Sequence, residues 1–211
     1  VVDKDYLVVE SSPQEMLDLG FKPIGKDFPV FLHPETKEEY ALARTEKKVG
    51  IGHKGFTFYA SPEVTLEQDL ERRDITINAI AVDENNNYID PFNGIDDLKK
   101  NVIRHVSSAF EEDPLRVLRV ARFKAKLNSF TIHEKTYDLM NRIVRSGEIN
   151  NLSAERMMME LKKGFEEEHA FSMLEVLNDC GAIDYIFPKI EFKNNKDKIK
   201  NALHASHHLC K

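Results

Sequence analysis

Near residue 106 the spacing of apolar side chains changes period, and that change limits the folds open to this chain. Before it lie short runs rich in aromatic or β-branched residues, Asp5 to Val9, Pro29 to Leu32, Glu39 to Arg44 and Phe56 to Ala60, separated by turn formers as strands are. Two capped helices interrupt them. In SSPQEMLDLG, Ser12 caps, Pro13 takes the first turn, Glu15 closes a capping box and Gly20 ends the helix. Thr65-Leu66-Glu67-Gln68 is a second capping box, opening a helix expected to run through RRDITINA, after which AVDENNNYID reads as a hairpin. Beyond Val106 helical periods take over, at Pro114 to Leu127, His133 to Ser146, Ser153 to Phe165 and Ala170 to Cys180. Glu191 to Lys200 is polar and lysine-rich and reads as a surface connection, whereas Met157 to Met159 read as core filling. The fold class is α+β, with expected segments 1–106, 107–190 and 191–211.

The 211 residues, 41% of them hydrophobic, suffice for one large or two small domains. No apolar run approaches the ~20 residues of a membrane span, so a membrane protein is excluded. Cys180 and Cys210 have no cysteine partner at metal-ligand spacing and make no disulfide framework, which points to a reducing compartment, the cytoplasm. A net charge of -6 argues against a protein that coats nucleic acid nonspecifically, yet leaves room for a local basic surface. The start, Val1-Val2-Asp3-Lys4-Asp5, lacks an initiator methionine and reads as a strand entered halfway, so upstream residues are expected to be missing.

Asp3 and Asp5 are two apart, so on a strand both carboxylates leave one face, with Cα atoms about 6.5–7 Å apart. A pair of Mg²⁺ ions would relieve their repulsion and clamp both oxygens of a phosphoryl transfer. Glu39, on a second strand candidate, can bring a third carboxylate. Simple solvation accounts for all three equally well at this point.

Arg72 to Asn78 mixes anion-binding and hydroxyl-binding groups. On one helix face Asp74 and Asn78 would bond ribose hydroxyls while Arg73 reaches a phosphate; a helical ion-pair cluster with Asp69 and Glu71 is the alternative. The pattern EEDPLRVLRVARFKAK is stronger. Arg116, Arg119 and Arg122 recur every third residue beside an apolar face, giving a basic stripe suited to phosphate. Asp113 either caps this helix or joins Arg116 in facing a ligand. A carboxylate accepting from an exocyclic amine beside an arginine donating to a ring nitrogen matches cytosine and adenine, and disfavours uracil and guanine.

Other signals are weaker. Gly50-x-Gly52-x-x-Gly55 has a dinucleotide-binding spacing but no helix follows, so it reads as a mobile loop. His204, His207 and His208 read as a surface cluster rather than a metal site.

In order, DKD, SSPQEMLDLGF, DFPVFLHPETKEEYALARTE, RRDITINAIA, DPFNGIDDL and EEDPLRVLRVARF resemble the class II bacterial tRNA CCA-adding nucleotidyltransferases over most of residues 1 to 190, and LSAERMMMELKKGF resembles the family's neck helix. The resemblance implies a polymerase-beta-like head with a mixed sheet and flanking helices, then a helical neck and a truncated body. It implies Mg²⁺ on Asp3 and Asp5, with Glu39 as the third carboxylate, a ribose and phosphate motif at Arg73, Asp74 and Asn78, base reading by Asp113 and Arg116, and triphosphate contact by Arg119 and Arg122. CTP, ATP and the tRNA 3′ end are the implied partners, and Lys47 to Pro62 the implied flexible loop. The family's glycine-rich triphosphate cradle before DxD is absent, as are body, tail and any phosphohydrolase domain, so a fragment is expected. The same head motifs fit a CC-adding, A-adding or poly(A)-polymerase relative; the missing cradle and net charge fit a binding module without catalysis.

Overall fold

The computed structural model describes residues 4–24, 29–48 and 56–209. Asp3, Gly50, Gly52, Gly55 and the side chains of His207 and His208 lie outside this description. Two compact units divide between Arg72 and Arg73.

The first unit holds a four-stranded mixed sheet. Its members are β1 (Tyr6–Val8), β2 (Lys22–Ile24), β3 (Val30–Leu32) and β4 (Glu39–Leu42), in the order β1-β4-β3-β2. Helix α1 (Pro13–Asp18) follows β1 and forms as expected: Ser12 and Glu15 close the capping box, and Gly20 in the left-handed region (φ 84°) ends it. Amides of Gly20 and Phe21 return to the Leu17 and Met16 carbonyls, satisfying the last turn. Met16, Phe31 and Leu42 form a small core on the same sheet face as Tyr6 and Tyr40, whose rings stack 4.4 Å apart. Antiparallel arms β5 (Thr45–Lys48) and β6 (Phe56–Tyr59) follow, the end of β5 and all of β6 falling in the stretch expected to be a flexible loop, Lys47 to Pro62. Helix α2 (Leu66–Glu71) has its Thr65–Gln68 capping box, and its buried Asp69 binds Arg72 and the Arg44 amide.

That helix does not continue through RRDITINA. It ends at Arg72; Ile75 bridges His105, and Thr76–Asn78 form a 3-10 turn. Three β-branched residues in a row, Ile75-Thr76-Ile77, suit an extended chain better than a helix, and burial of Ile75 against the second unit's core outweighs local propensity.

The second unit continues with β7 (Ala81–Val82), β8 (Tyr88–Ile89), α3 (Gly94–Lys99), β9 (Val102–Ile103), α4 (Leu115–Lys126), β10 (Thr131–Ile132), α5 (Glu134–Arg145), α6 (Ala154–Phe165), α7 (Ala170–Asp179), α8 (Ile183–Ile186) and α9 (Phe192–Leu209). β7 and β8 make the expected hairpin, and α4 to α7 lie where their periods predict. Helix α4 is central: Val117, Leu118, Val120 and Ala121 are fully buried, packed by α6 and α7, each large side chain contributing about 1.5–3 kcal/mol. Cys180 lies in this core, and burial pushes its thiol pKa up to about 11.

Two sequence expectations fail here. Glu191 to Lys200 is not a connection but, from Phe192 on, the first half of α9, because Phe192, Ile199 and Leu203 recur at helical spacing and pack on the core beneath the lysines. Of the three methionines only Met157 packs inward; Met158 and Met159 are 59% and 52% exposed, since consecutive helical residues point about 100° apart.

The DPFNGIDDL segment is a built corner. Asp90 accepts the amides of Gly94 and Ile95, Asn93 takes the left-handed region, and Gly94 lies so close to the Thr76 carbonyl that a Cβ would sit 2.2 Å from its oxygen. Gly94→Ala should therefore destabilise the protein by about 2 kcal/mol or more, read as a lower midpoint in urea unfolding.

Candidate functional site

In the first unit, the parallel register Tyr6↔Tyr40 places Asp5 and Glu39 as the residues immediately before paired positions on neighbouring strands. Alternation puts both on the face opposite Tyr40 and Leu42, and both are exposed. Carboxylate oxygens are the donors a hard divalent cation takes, so this pair fits Mg²⁺ in chemistry. Among the described residues no group of three metal-ligating side chains converges; Asp3, the remaining expected ligand, lies outside them.

In the second unit the segment after Arg73 is fastened before it presents anything. The Thr76 amide bonds the Arg104 carbonyl, and the Thr76 hydroxyl donates to the buried Asp97, whose two oxygens also receive Arg104. On this mount Asp74 is nearly buried, 6% exposed, and accepts from the Ile75 amide and from Asn78 Nδ2 at 3.0 Å. Asp74 and Asn78 thus meet across a 3-10 turn rather than along a helix. Arg73 donates through Nη1 to the Asn78 carbonyl.

Helix α4 brings its arginines to this mount. Arg119 Nε donates to Asp74 Oδ2 at 2.7 Å, and its Nη1 lies 3.5 Å from Glu160 Oε1 on α6. Arg122 Nε donates to Glu160 Oε2 at 2.6 Å and its guanidinium lies 4.5 Å from the Phe123 ring centre. Arg116 is buried and donates through Nη1 to the Ala109 carbonyl. The stripe expected to face outward is therefore largely enclosed by protein carboxylates. Burial opposes ionisation of Asp74, but the Arg119 charge, with hydrogen bonds from Asn78, Arg119 and Ile75, holds its carboxyl below the usual range. Arg119 is likewise held above its usual value: Asp74 overcomes the effect of burial.

Of the two roles weighed for Asp113, the structure gives a form of the first, an acceptor at the start of α4, and adds a partner the sequence did not suggest, Arg156. Asp113 Oδ1 accepts the Leu115 amide at the start of α4, while both oxygens receive Arg156 of α6, at 2.7 Å on Oδ2 and 3.4 Å on Oδ1. A carboxylate offers about four acceptor positions, so room for a further donor remains.

Arg156 and Glu160 escaped the sequence reading. They stand four apart on one face of α6, beside buried Leu161 and Gly164, and the signal was two opposite charges set within an apolar stripe.

Comparison with known proteins gives a consistent set. Residues 22–104 match the family described as the poly A polymerase head domain, and residues 129–193 the probable RNA and SrmB-binding site of polymerase A. The multifunctional CCA protein of Nitrosospira multiformis is 56% identical over 191 residues, 90% of this chain and 46% of that protein. The CCA-adding enzyme of Coxiella burnetii is 55% identical over 193 residues, 92% of this chain and 51% of that enzyme. Among solved structures, the Bacillus stearothermophilus CCA-adding enzyme in complex with CTP superposes with a TM-score of 0.68 at 27% identity, over 84% of this chain and 43% of that one. The Thermotoga maritima CCA-adding enzyme complexed with tRNA gives 0.68 at 28%, over 90% and 44%. The chain spans about half the length of these relatives.

Asp74 supplies a pH test. Its lowered pKa means that the stability of its pairing is present above the ordinary carboxylate pKa and lost as pH falls through the lower folded value. Asp74→Asn should cost about 1–3 kcal/mol at neutral pH. The wild-type melting temperature should also fall more steeply than the variant's below about pH 4; parallel profiles would contradict this.

Proposed function

The chain belongs to the family of the poly A polymerase head domain and the CCA-adding enzymes, and from that membership we propose that the protein adds C, C and A to the 3′ end of tRNA from CTP and ATP, without a nucleic-acid template. The observation that carries the reading is the meeting of Asp74, Asn78 and Arg119 of α4 in the second unit, with Arg122 joined to Arg119 through Glu160. Residues 1–106 are the head and residues 107–190 the neck, with α9 after them packed on the same core; the head match ending at residue 104 supports the first boundary. The cytoplasm is the compartment in which this reading places the work.

Asp3 and Asp5, with Glu39 on the adjoining strand, would hold Mg²⁺, which when bound lowers the pKa of the attacking 3′-hydroxyl and neutralises the leaving pyrophosphate. Arg119 and Arg122 take the triphosphate, and Arg73 a phosphate beside Asp74 and Asn78, which bond the ribose. Asp113 accepts the exocyclic amine of cytosine or adenine, and Arg116 donates to the adjacent ring nitrogen. Uracil and guanine leave that carboxylate facing a carbonyl, an unpaired arrangement that costs binding.

A second reading, poly(A) addition, has in its favour the description of the matched head domain. Incubation with a tRNA ending before its CCA separates the two: CCA addition stops after A, whereas poly(A) synthesis continues.

Asp5→Ala should lower incorporation of C and A into such a tRNA by roughly a thousandfold with melting temperature unchanged; undiminished incorporation would refute the assignment. Arg116→Ala should narrow the preference for CTP and ATP over UTP and GTP by about 10–100-fold, more than it slows CTP use, as four single-nucleotide assays would reveal.

A further inference from the structure

Glu160 is expensive where it stands. Its side chain is 6% exposed, and a carboxylate so buried is unfavourable unless charges surround it. Apolar side chains in place of the whole cluster, acid and arginines together, would avoid that penalty, so stability alone gives a poor reason for placing these charges here.

Its geometry supplies a better one. Each oxygen serves a different guanidinium, Oε1 facing Arg119 and Oε2 facing Arg122. Arg119 is fixed from its other edge by Asp74, and Arg122 lies over Phe123. Both arginines spend Nε on carboxylates, and among the described residues the Nη atoms of Arg122 have no hydrogen-bond partner. Arg122, anchored by Nε, keeps its outer edge for an anion, and Arg119, held through Nε by Asp74 and through Nη1 by Glu160, stands at a fixed spacing from it.

We propose that Glu160 is a positioning residue that spaces Arg119 and Arg122 so that both engage one polyphosphate chain, giving the site its preference for nucleoside triphosphates over monophosphates. This rests on the assignment of those arginines to the triphosphate made above. A carboxylate acting only as a counter-ion would behave oppositely, since its removal would raise the positive potential and tighten triphosphate binding.

The test is equilibrium titration of the protein with CTP and with CMP at fixed ionic strength, in the wild type and in Glu160→Gln, Glu160→Asp and Arg119→Ala. Glu160→Gln should weaken CTP about tenfold and leave CMP within about twofold. Glu160→Asp, which keeps the charge but shortens the reach, should also weaken CTP selectively, and it carries the test if Glu160→Gln does not fold. Unchanged or tighter CTP binding, or equal losses for CTP and CMP, overturns the proposal. A CTP-to-CMP ratio unmoved by Arg119→Ala would instead overturn the triphosphate assignment beneath it; a ratio that falls there but not in the Glu160 variants defeats the positioning role alone.

Discussion

Burying a carboxylate costs several kcal/mol unless positive charge and hydrogen bonds replace the lost water, and the second unit is organised around meeting that requirement twice. Asp74 and Glu160 are both about 5–6% exposed and share one guanidinium, Arg119. Neither acid is tolerable without α4, and the α4 arginines have no fixed position without the acids. Three segments far apart in sequence are thereby held to one arrangement: the turn after Arg73, the helix begun by Pro114 and the helix capped by Ser153.

Such an arrangement needs a rigid base, which α3 supplies. Thr76 is held through its amide, its hydroxyl and its carbonyl's close approach to Gly94, while Asp97 joins it to Arg104. Residues of the DPFNGIDDL segment pack against the 3-10 turn that ends in Asn78. They fix the chain direction that lets Asp74 look toward Arg119, so their identity is a matter of backbone geometry.

Local chemistry was readable in the sequence wherever one segment decides its own shape. The Ser12 and Thr65 capping boxes, the αL glycine after α1 and the periods of α4 to α7 are complete within a few residues. What was not readable depended on partners elsewhere. RRDITINA carries a plausible helix pattern, but Ile75 pairs with His105, thirty residues on, and the helix ends. Glu191 to Lys200 looked like a polar link because its packing residues, Phe192, Ile199 and Leu203, are spread thinly among lysines and asparagines. The site residues were visible as a set of arginines and acids; that Arg119 and Arg122 would spend Nε on Asp74 and Glu160 was not, since pairings 45 and 38 residues apart leave no local trace.

The register of the first sheet bears on how this gene can change. Tyr6 and Tyr40 stack in the core while Asp5 and Glu39, one step earlier, face the other way. Losing or gaining a single codon inside β1 or β4 would exchange the two sets, driving an acid into the aromatic core and an aromatic ring into water. Length variation is therefore better tolerated in the turn from Pro34 to Lys37 than inside the strands to either side.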